Sequence, residues 1–257
     1  MKVRGDKMEQ KIPKVIHFCW FGHGEYPELI VKCMETWKKY LPEYEIVKWS
    51  EDNFDINSNQ YVKEAYENKK WAFVTDYVRL YALYTCGGIY LDSDVEILKP
   101  IDEFLDNEAF SGFESKDTVP TAIMGAVKGQ KFIGELMHEY DNRRFVLEDG
   151  SFDMTPNTVE ITKTCVRYGL KLNGKKQIVE GFSLYPQIYF CPNNVGRIFN
   201  KPSHRSYTIH HSIGSWGDGP KYVKTLSSRV KRYMTGMLRR AIGSEKIVRL
   251  KNRLGIK

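Results

Sequence analysis

The pattern of apolar and polar positions changes its period several times along the chain. Residues 14–21 form a nearly continuous apolar run, which predicts a buried first strand. Residues 27–40 have apolar side chains at helical spacing and stop before a proline, and residues 44–49 are short and β-prone. A strand, a helix and a strand of these lengths predict a βαβ unit and a parallel sheet.

The same reading extends to the rest of the chain. Residues 71–86 form the strongest helical segment, and Gly87 is placed to end it in the left-handed conformation. Further helices are predicted at 60–69, 131–144 and 156–165, extended segments at 89–91 and 95–98, β-rich structure at 110–127, irregular or extended structure at 182–190, and a last strand at 207–211. The pattern predicts an α/β fold class, with a Rossmann-like mixed sheet flanked by helices.

Cysteine usage and hydropathy narrow the class of protein. The five cysteines are scattered, odd in number and without a Cys-x-x-Cys pair, which favours a reducing compartment over a disulfide framework or a zinc-thiolate site. The charged start at 1–14 is unlike a signal peptide, so we expect none. No run approaches the roughly 18 apolar residues that a membrane-spanning helix needs.

Charge divides the chain into two parts. Residues 226–257 carry ten basic side chains against one acid, a net +9, which leaves −2 for the other 225 residues of a chain whose total is +7. The main domain, predicted at 1–225, therefore lacks the basic character of a nucleic-acid binder, and we expect no nucleic-acid partner. In the tail, apolar residues at helical spacing lie among basic ones, which predicts a helix on an anionic membrane; the alternative is a solvated basic tail.

The most informative local feature is an acid pair after a glycine pair, in the stretch Gly-Gly-Ile-Tyr-Leu-Asp-Ser-Asp that ends at Asp94. Asp92 and Asp94 follow an apolar strand, and two such carboxylates can hold one divalent cation and the diphosphate that it neutralises. One alternative is an acidic surface turn. Another is an aspartyl phosphatase, but that class wants Thr or Val two residues after the second Asp, where this chain has Glu96.

Asp76 and Arg79 lie three residues apart in the predicted helix before the glycines, so they share a helix face. The alternative is an ordinary surface ion pair, which contributes little. Because their neighbours are largely apolar, we expect both side chains to be buried and to need polar partners. The hydroxyl groups of a sugar would supply such partners.

Together these blocks resemble a known family. Residues 72–80 (Ala-Phe-Val-Thr-Asp-Tyr-Val-Arg-Leu) and 87–94 are similar to the sugar-transferase segment with the DXD motif of family 32 glycosyltransferases, which include yeast initiating mannosyltransferases and bacterial capsule enzymes. The same blocks resemble the catalytic domain of the large clostridial glucosylating toxins. Residues 12–22 fit the family's opening strand and residues 209–216 its closing motif, so the resemblance spans about residues 12 to 216 in the family's order.

The resemblance implies a GT-A fold, a Mn²⁺ or Mg²⁺ cofactor and retaining sugar transfer. It implies the following catalytic and binding roles: Asp94 and His211 as metal ligands, Asp92 on the metal and the ribose, Asp76 and Arg79 on the donor sugar, Tyr90 lining that pocket, Trp20 stacking on the base, and Ser215 and Trp216 contacting the leaving diphosphate. His210 and His211 would face opposite sides of a strand, and His211 is chosen because it resembles the ligand of related transferases.

The resemblance also implies a function. We expect a hexosyltransferase that uses a nucleotide sugar, UDP-linked by preference with GDP-mannose open. The expected acceptor is a saccharide, lipid-linked, in capsular or other surface polysaccharide synthesis. The expected location is cytoplasmic, peripheral on the inner face of the cytoplasmic membrane. The alternatives are a toxin-like protein glucosyltransferase and a sugar-binding protein without catalysis.

Overall fold

The computed structural model describes residues 11–119, 122–192 and 202–212, and the elements named here lie in those ranges. The strands are β1 Val15–Cys19, β2 Glu45–Trp49, β3 Gly88–Leu91, β4 Val95–Ile97, β5 Ala109–Gly112, β6 Ile123–Ala126, β7 Gln177–Val179, β8 Phe182–Tyr185 and β9 Thr208–His210. The helices are α1 Glu28–Tyr40, α2 Gln60–Glu67, α3 Trp71–Cys86, α4 Lys131–His138, α5 Asn157–Arg167 and α6 Gln187–Phe190.

Seven of these strands form one mixed sheet in the order β2-β1-β3-β6-β5-β8-β7. Strand β1 runs parallel to both β2 and β3, whereas β6 runs antiparallel to β3 and β5. Helix α1 connects the parallel neighbours β1 and β2, as the predicted βαβ unit requires. The α/β fold class, with a mixed sheet and flanking helices, is confirmed.

The order of the parallel strands creates a crevice at one edge of the sheet. The chain passes from β1 to β2 on one side and returns to β3 on the other side of β1. In open α/β sheets such a reversal of strand order marks the place where ligands bind, at the carboxyl ends of the strands. His17 of β1 is in register with Tyr90 of β3, so Trp20 and Asp92, which follow the two strands, reach the same edge.

The sheet separates two apolar clusters, because side chains along a strand alternate between its faces. Tyr90 of β3 belongs to one cluster, together with Phe73 and Val74 of α3. Ile89 and Leu91, on either side of Tyr90, belong to the other cluster, which Trp37 of α1 fills from the opposite face. Helix α3 is buried on most sides, including at its polar residues, so it carries charged groups into the interior of the protein.

Two glycines control the passage from α3 into β3. Gly87 has φ 70° and ψ 179°, and its N–H donates to the carbonyl of Leu83. Its φ is positive as expected, but its ψ lies outside the left-handed helical region that the sequence predicts. Gly88 has φ 111°, and a Cβ there would lie 2.7 Å from the Val15 carbonyl oxygen and 3.0 Å from His17 Nε2. Only glycine accepts both the backbone conformation and this close approach.

A second, two-stranded sheet is formed by β4 and β9 in antiparallel orientation, with Val95 opposite His210. Strand β4 begins directly after the acid pair, whereas β9 comes from the far end of the described chain. The Nε1–H of Trp37 donates to the carbonyl of Val95 at 2.7 Å and fixes β4 against α1. The small sheet therefore holds one histidine beside the acid pair.

Several predicted boundaries differ from the structure. Helix α4 ends at His138 rather than near residue 144, and the chain then forms turns up to a short bridge between Val146 and Phe152. The segment 182–190 divides into strand β8 and the short helix α6, which begins after Pro186 because the proline ring restricts the residue before it and suits a helix start. Strand β7, which pairs with β8, was not predicted from the sequence.

The predicted tail at 226–257 lies outside the described residues, and so do Ser215 and Trp216. Their expected roles stay predictions. Among the helices of the described ranges, none combines the length and the apolar content that crossing a bilayer requires.

Candidate active site

The acid pair lies in a tight turn between β3 and β4. The N–H of Asp92 donates to the Ala122 carbonyl at 2.8 Å, and the N–H of Val95 donates back to the Asp92 carbonyl at 3.0 Å. This turn brings the two acids together at the carboxyl end of β3. Asp94 is 8% exposed and Asp92 is half-buried, so the pair lies in a crevice rather than on an open surface turn.

His210 completes a cluster with the two acids. Its Nε2 lies 3.3 Å from Asp94 Oδ1 and 3.9 Å from Asp92 Oδ2. One ligand atom from each of the three residues lies within 4.8 Å of the others. Two carboxylates and one imidazole are a donor set that suits Mn²⁺ or Mg²⁺ with further sites left for water or phosphate oxygens. The residues present therefore fit the expected cation.

The electrostatics of the histidine agree with this arrangement. Burial lowers the pKa of His210, but its hydrogen bonds with Asp94 and Cys191, together with the charge of Asp92, raise that pKa well above its ordinary value. Without a cation the imidazole thus serves as the positive partner of the two acids. A bound divalent cation would take over that charge balance and bind the neutral imidazole.

The choice between the two adjacent histidines requires a correction. The sequence analysis favours His211, but His211 Nε2 lies 2.9 Å from Glu96 Oε2, on the other side of the small sheet. His210 and not His211 faces Asp92 and Asp94. Alternation along β9 is the reason, because neighbouring side chains of a strand point in opposite directions. The sequence showed that one of the two would face inward but not which one.

Arg79 joins the acid pair to Asp76. Its Nη2 lies 3.1 Å from Asp92 Oδ1 and 3.3 Å from Asp76 Oδ1, and its guanidinium lies over the Tyr90 ring at 4.6 Å from the centroid. The Tyr90 hydroxyl donates to the same Asp92 oxygen at 3.0 Å. Asp76, Arg79 and Tyr90 are 0%, 3% and 1% exposed. The predicted burial of Asp76 and Arg79 is therefore present, and the two are not a surface ion pair.

Asp92, Arg79 and Asp76 form a continuous row of side chains. Asp76 lies at the inner end of this Asp–Arg row. Burial raises the pKa of Asp76 well above its ordinary value, although the charge of Arg79 opposes that rise. Its carboxylate is approached by Arg79 and by the backbone N–H of Asn157, which also lowers its pKa, and no bond of standard hydrogen-bond geometry reaches it within the described residues. A buried carboxylate in this state needs further hydrogen-bond donors, and an incoming polar ligand can supply them.

Trp20 lies at the end of β1, next to the crevice. Its Nε1–H donates to the Gly24 carbonyl at 2.6 Å, and its ring packs edge-on against Tyr26 with centroids 4.8 Å apart. Both contacts fix the indole while it stays partly exposed. A fixed, partly exposed aromatic ring can stack on a planar base, which is the role that the resemblance implies.

Two residues here could not be identified from the sequence. The sequence favours His211 over His210, and it assigns no role in the site to Cys191. The Cys191 thiol is buried beside His210, where burial raises the pKa of the thiol and the contact with His210 opposes that rise. A lone cysteine without a spaced partner gives no signal in a sequence, so only the fold could reveal this contact.

The geometry defines a class of site. A carboxylate pair with a histidine at a strand-order reversal, next to a buried Asp–Arg row and a fixed indole, is suited to a cation, an anionic group and a polyhydroxylated ligand in that order. Residues 27–111 match the family described as the glycosyltransferase sugar-binding region containing the DXD motif. The match includes Asp76, Arg79, Tyr90 and the Asp92–Asp94 pair.

Part of the chain is also similar to two curated proteins. Inositol phosphoceramide mannosyltransferase 3 of Schizosaccharomyces pombe is 31% identical over 126 residues, which cover 48% of this chain and 35% of that protein. Subversion of eukaryotic traffic protein A of Legionella pneumophila is 25% identical over 190 residues, which cover 61% of this chain and 29% of that protein. The chain thus spans about a third or less of the length of these relatives.

Solved structures show a looser likeness. The PaToxG glycosyltransferase has a TM-score of 0.44 and 17% identity, and the overlap covers 61% of this chain and 69% of that chain. The galactosyltransferase LgtC, solved with donor and acceptor sugar analogues, has a TM-score of 0.43 and 11% identity, and the overlap covers 86% and 94% of the two chains. Both TM-scores lie below 0.5, and the fold class stated above rests on the sheet and helices of this protein.

Proposed function

We propose that this protein is a metal-dependent, retaining glycosyltransferase of GT-A type that moves a hexose from a nucleotide sugar to a saccharide acceptor. The observation that supports it most is the continuous row of side chains from His210 through Asp94, Asp92 and Arg79 to Asp76. This row begins at a cation site and ends at an undersatisfied buried carboxylate. Its order is the order of the parts of a donor: diphosphate first, sugar next.

The residues divide the work of binding the donor. Asp92, Asp94 and His210 would hold the Mn²⁺ or Mg²⁺, which neutralises negative charge on the leaving diphosphate. The indole of Trp20 offers its exposed face to the base. Asp76 accepts hydrogen bonds from sugar hydroxyls, and Arg79 donates to the sugar from a position fixed by two carboxylates and the Tyr90 ring. These rigid contacts place the anomeric carbon relative to the acceptor.

The finer parts of the proposal come from the resemblance. They are the retained stereochemistry, the preference for UDP over GDP, the contacts of Ser215 and Trp216 with the diphosphate, and a saccharide or lipid-linked oligosaccharide acceptor in surface polysaccharide synthesis. The name of the yeast relative includes a lipid acceptor, which supports an acceptor of lipid-linked type. We also propose that the basic tail at 226–257 binds the anionic inner face of the cytoplasmic membrane.

Donor binding can be tested by thermal shift. We expect UDP-glucose, UDP-galactose or GDP-mannose to raise the melting temperature only when Mn²⁺ is present, since the cation joins the diphosphate to the two acids. Asp94→Asn should abolish that shift and lower donor hydrolysis by about 10²–10³-fold, the range found when one charge-stabilising group is removed. Asp106→Asn, at an exposed acid outside the row, is the matched control. Full hydrolysis by Asp94→Asn would refute the proposal.

Membrane binding of the tail has a separate test. The full chain should sediment with vesicles that contain anionic phosphatidylserine and not with purely phosphatidylcholine vesicles, and added salt should release it. The double variant Arg239→Glu/Arg240→Glu should bind less. Equal sedimentation with both vesicle types would contradict the membrane role without affecting the donor site.

A further inference from the structure

A loop outside the candidate site lies at the same edge of the sheet as the acid pair. Strands β3, β5 and β8 run in one direction, because β6 is antiparallel to both β3 and β5, and β8 is parallel to β5. Strand β7 is antiparallel to β8, so the loop 171–176 that precedes β7 lies beside the carboxyl ends of the other three strands. We call this side of the sheet the crevice edge.

The loop 171–176 is held in one shape by a single side chain. Gln177 Oε1 accepts from the N–H of Lys171 at 2.9 Å, and Gln177 Nε2 donates to the Lys171 carbonyl at 2.8 Å. Gln177 Nε2 also donates to Asn173 Oδ1 at 3.0 Å, and that oxygen accepts from the N–H of Lys175 at 2.9 Å. Gly174 supplies the positive φ of 68° in this turn. The loop therefore presents its outward side chains in a fixed arrangement.

Four exposed lysines gather on and beside this loop. They are Lys116, Lys171, Lys175 and Lys176. Lys116 comes from the segment after β5, and its Cα lies 4.0 Å from the place that a Cβ on Gly174 would occupy. Among residues 11–119, 122–192 and 202–212, no ion pair uses any of these four ammonium groups. Arg167 of the preceding helix α5, by contrast, contacts two glutamates.

Exposed apolar side chains accompany the lysines. Leu172 in the loop is 39% exposed, and Ile178 of β7 is 67% exposed, the highest value among the large apolar residues of the described ranges. Lys176 stands between them in the sequence, and its ammonium lies 4.6 Å from the centroid of the Tyr185 ring. Lysines around exposed apolar side chains are typical of a surface that binds anionic lipid.

The crevice edge is also where the described chain ends. The N–H of His211 donates to the Asp94 carbonyl at 3.1 Å, and Ser212 is the last described residue. The segment 226–257, with its net charge of +9, follows in the sequence. Four strand spacings of about 4.8 Å separate β3 from β7, so the loop lies about 20 Å from the acid pair. One flat surface can therefore touch the loop and face the crevice.

We propose that the loop 171–176 is a membrane-contact element, in which Leu172 enters an anionic lipid surface and Lys171, Lys175 and Lys176 bind its headgroups. Charge complementarity selects this partner, because three unpaired cations in a fixed loop match a layer of phosphates and carboxylates. The contact is separate from the one proposed for the tail. The inference rests on the proposed function in one respect, which is that a lipid-linked acceptor would reach the crevice from this surface.

A polarity-sensitive fluorophore at position 172 tests the contact in the full chain. Cys86 is exposed and the other four cysteines are buried, so Cys86→Ser removes the competing thiol before Leu172→Cys is labelled with nitrobenzoxadiazole. Phosphatidylcholine vesicles that contain phosphatidylserine should shift the emission to shorter wavelength and raise its intensity, whereas pure phosphatidylcholine vesicles should not. The same label at Lys128→Cys is the matched control and should not respond, because exposed Lys128 follows β6 at the opposite edge of the sheet.

Charge gives a second readout. Lys175→Gln/Lys176→Gln should weaken binding to the anionic vesicles about 10–30-fold, because one lysine near such a surface contributes about 5-fold to the affinity. Lys128→Gln/Lys131→Gln removes the same charge from exposed positions at the opposite edge and should weaken binding less than about 3-fold, since salt screens distant charges. Without vesicles, both double variants should hydrolyse the donor at the wild-type rate.

Each outcome supports or overturns the loop contact. An unchanged label at position 172 in a chain that sediments with anionic vesicles would overturn it and leave the tail contact intact. Equal responses of the two labels, or equal losses in the two double variants, would also overturn it. If the label at position 172 responds to protein concentration without vesicles, a second copy covers the loop and the proposal is wrong.

The remaining outcomes separate this inference from the proposed function. If the labelled variant does not fold, the two lysine double variants decide alone. A wild type that sediments with neither vesicle type would overturn both membrane contacts without affecting the donor site. A wild type that neither binds nor hydrolyses any nucleotide sugar with Mn²⁺ would overturn the proposed function, whatever the label at position 172 reports.

Discussion

Two carboxylates on consecutive helices have nearly the same burial and opposite surroundings. Glu64 of α2 is 5% exposed and Asp76 of α3 is 0% exposed. Glu64 binds Arg144 and accepts hydrogen bonds from Gln60 Nε2 at 2.9 Å, from the N–H of Phe145 at 2.8 Å and from the N–H of Val146 at 2.9 Å. Asp76 has the ion pair with Arg79 and a single backbone donor, the N–H of Asn157.

The difference shows what each acid contributes. Glu64 is saturated, so its contacts tie α2 to the turn at 144–146 and favour the folded state. Asp76 has fewer donors, so its burial favours unfolding and its carboxylate keeps capacity for further hydrogen bonds. Burial alone therefore does not distinguish a structural acid from a binding acid. The number of hydrogen-bond donors that reach the two carboxylate oxygens distinguishes them.

The largest expected effect separates activity from stability at Asp76. Asp76→Asn keeps the shape of the side chain but replaces one of its two oxygens by an amide nitrogen, so we expect kcat/KM for the nucleotide sugar to fall about 10²–10³-fold. Arg79 keeps its contact with Asp92, so the melting temperature without donor should be no lower than that of the wild type. Nucleotide release and thermal melting on the same preparation measure both. A less stable variant with full activity would reverse the comparison.

Glu64→Gln should show the opposite pattern. The amide cannot replace a charged acceptor of two backbone N–H groups and an arginine, so we expect the free energy of unfolding to fall by about 2–3 kcal/mol. The kcat/KM, measured well below the melting temperature, should change less than about 2-fold, because no donor contact is lost. Glu67→Gln, at an exposed glutamate of the same helix, should change neither quantity. Chemical denaturation and hydrolysis rates provide the test.

A smaller effect is expected in how the stability of the protein changes with pH. Burial alone would raise the pKa of Glu64, but Arg144, Gln60 and the two N–H groups outweigh burial and lower this pKa from 4.5 to about 2. The stability that Glu64 contributes is therefore complete above pH 4.5 and is lost as pH falls towards 2. The gap between the wild type and Glu64→Gln should narrow over that window in melting experiments.

Asp76 should behave in the opposite way. Burial holds its folded-state pKa above the ordinary 3.8, so above pH 3.8 the unfolded chain releases a proton that the folded protein retains. The wild type should then lose stability relative to Asp76→Asn as pH rises from about 4 towards neutrality. Parallel slopes for the two variants would contradict the contrast between the acids.

The sequence predicts the first half of the fold well because there each element is defined by its own periodicity. Helix α3 coincides with the predicted 71–86, and α1 and β2 begin within a residue of their predicted starts. Pairing was harder. The insertion of β6 between β3 and β5, and the pairing of β4 with β9, depend on contacts between distant segments that no local pattern encodes.

The candidate site also divides into residues that the sequence predicts and residues that it does not. One continuous stretch of the sequence contains Asp76, Arg79, Asp92 and Asp94. The spacing of its helix, glycines and strand was therefore enough to predict that these residues lie close together. His210 comes from a distant element, and a lone histidine is ordinarily a packing residue. Its place beside the two acids depends on the pairing of β4 with β9, which the sequence does not show.

The pairing of Val95 with His210 has a consequence for synthesis of the protein. A ribosome delivers residues in order, and early segments begin to fold before later ones emerge. The βαβ unit, the acid pair and Arg79 are all complete long before residue 210 leaves the exit tunnel. Until then the nascent chain lacks the third ligand, so a half-made polypeptide should not capture the cation in this site. The strand β9 therefore supplies the last ligand of the site to be synthesised.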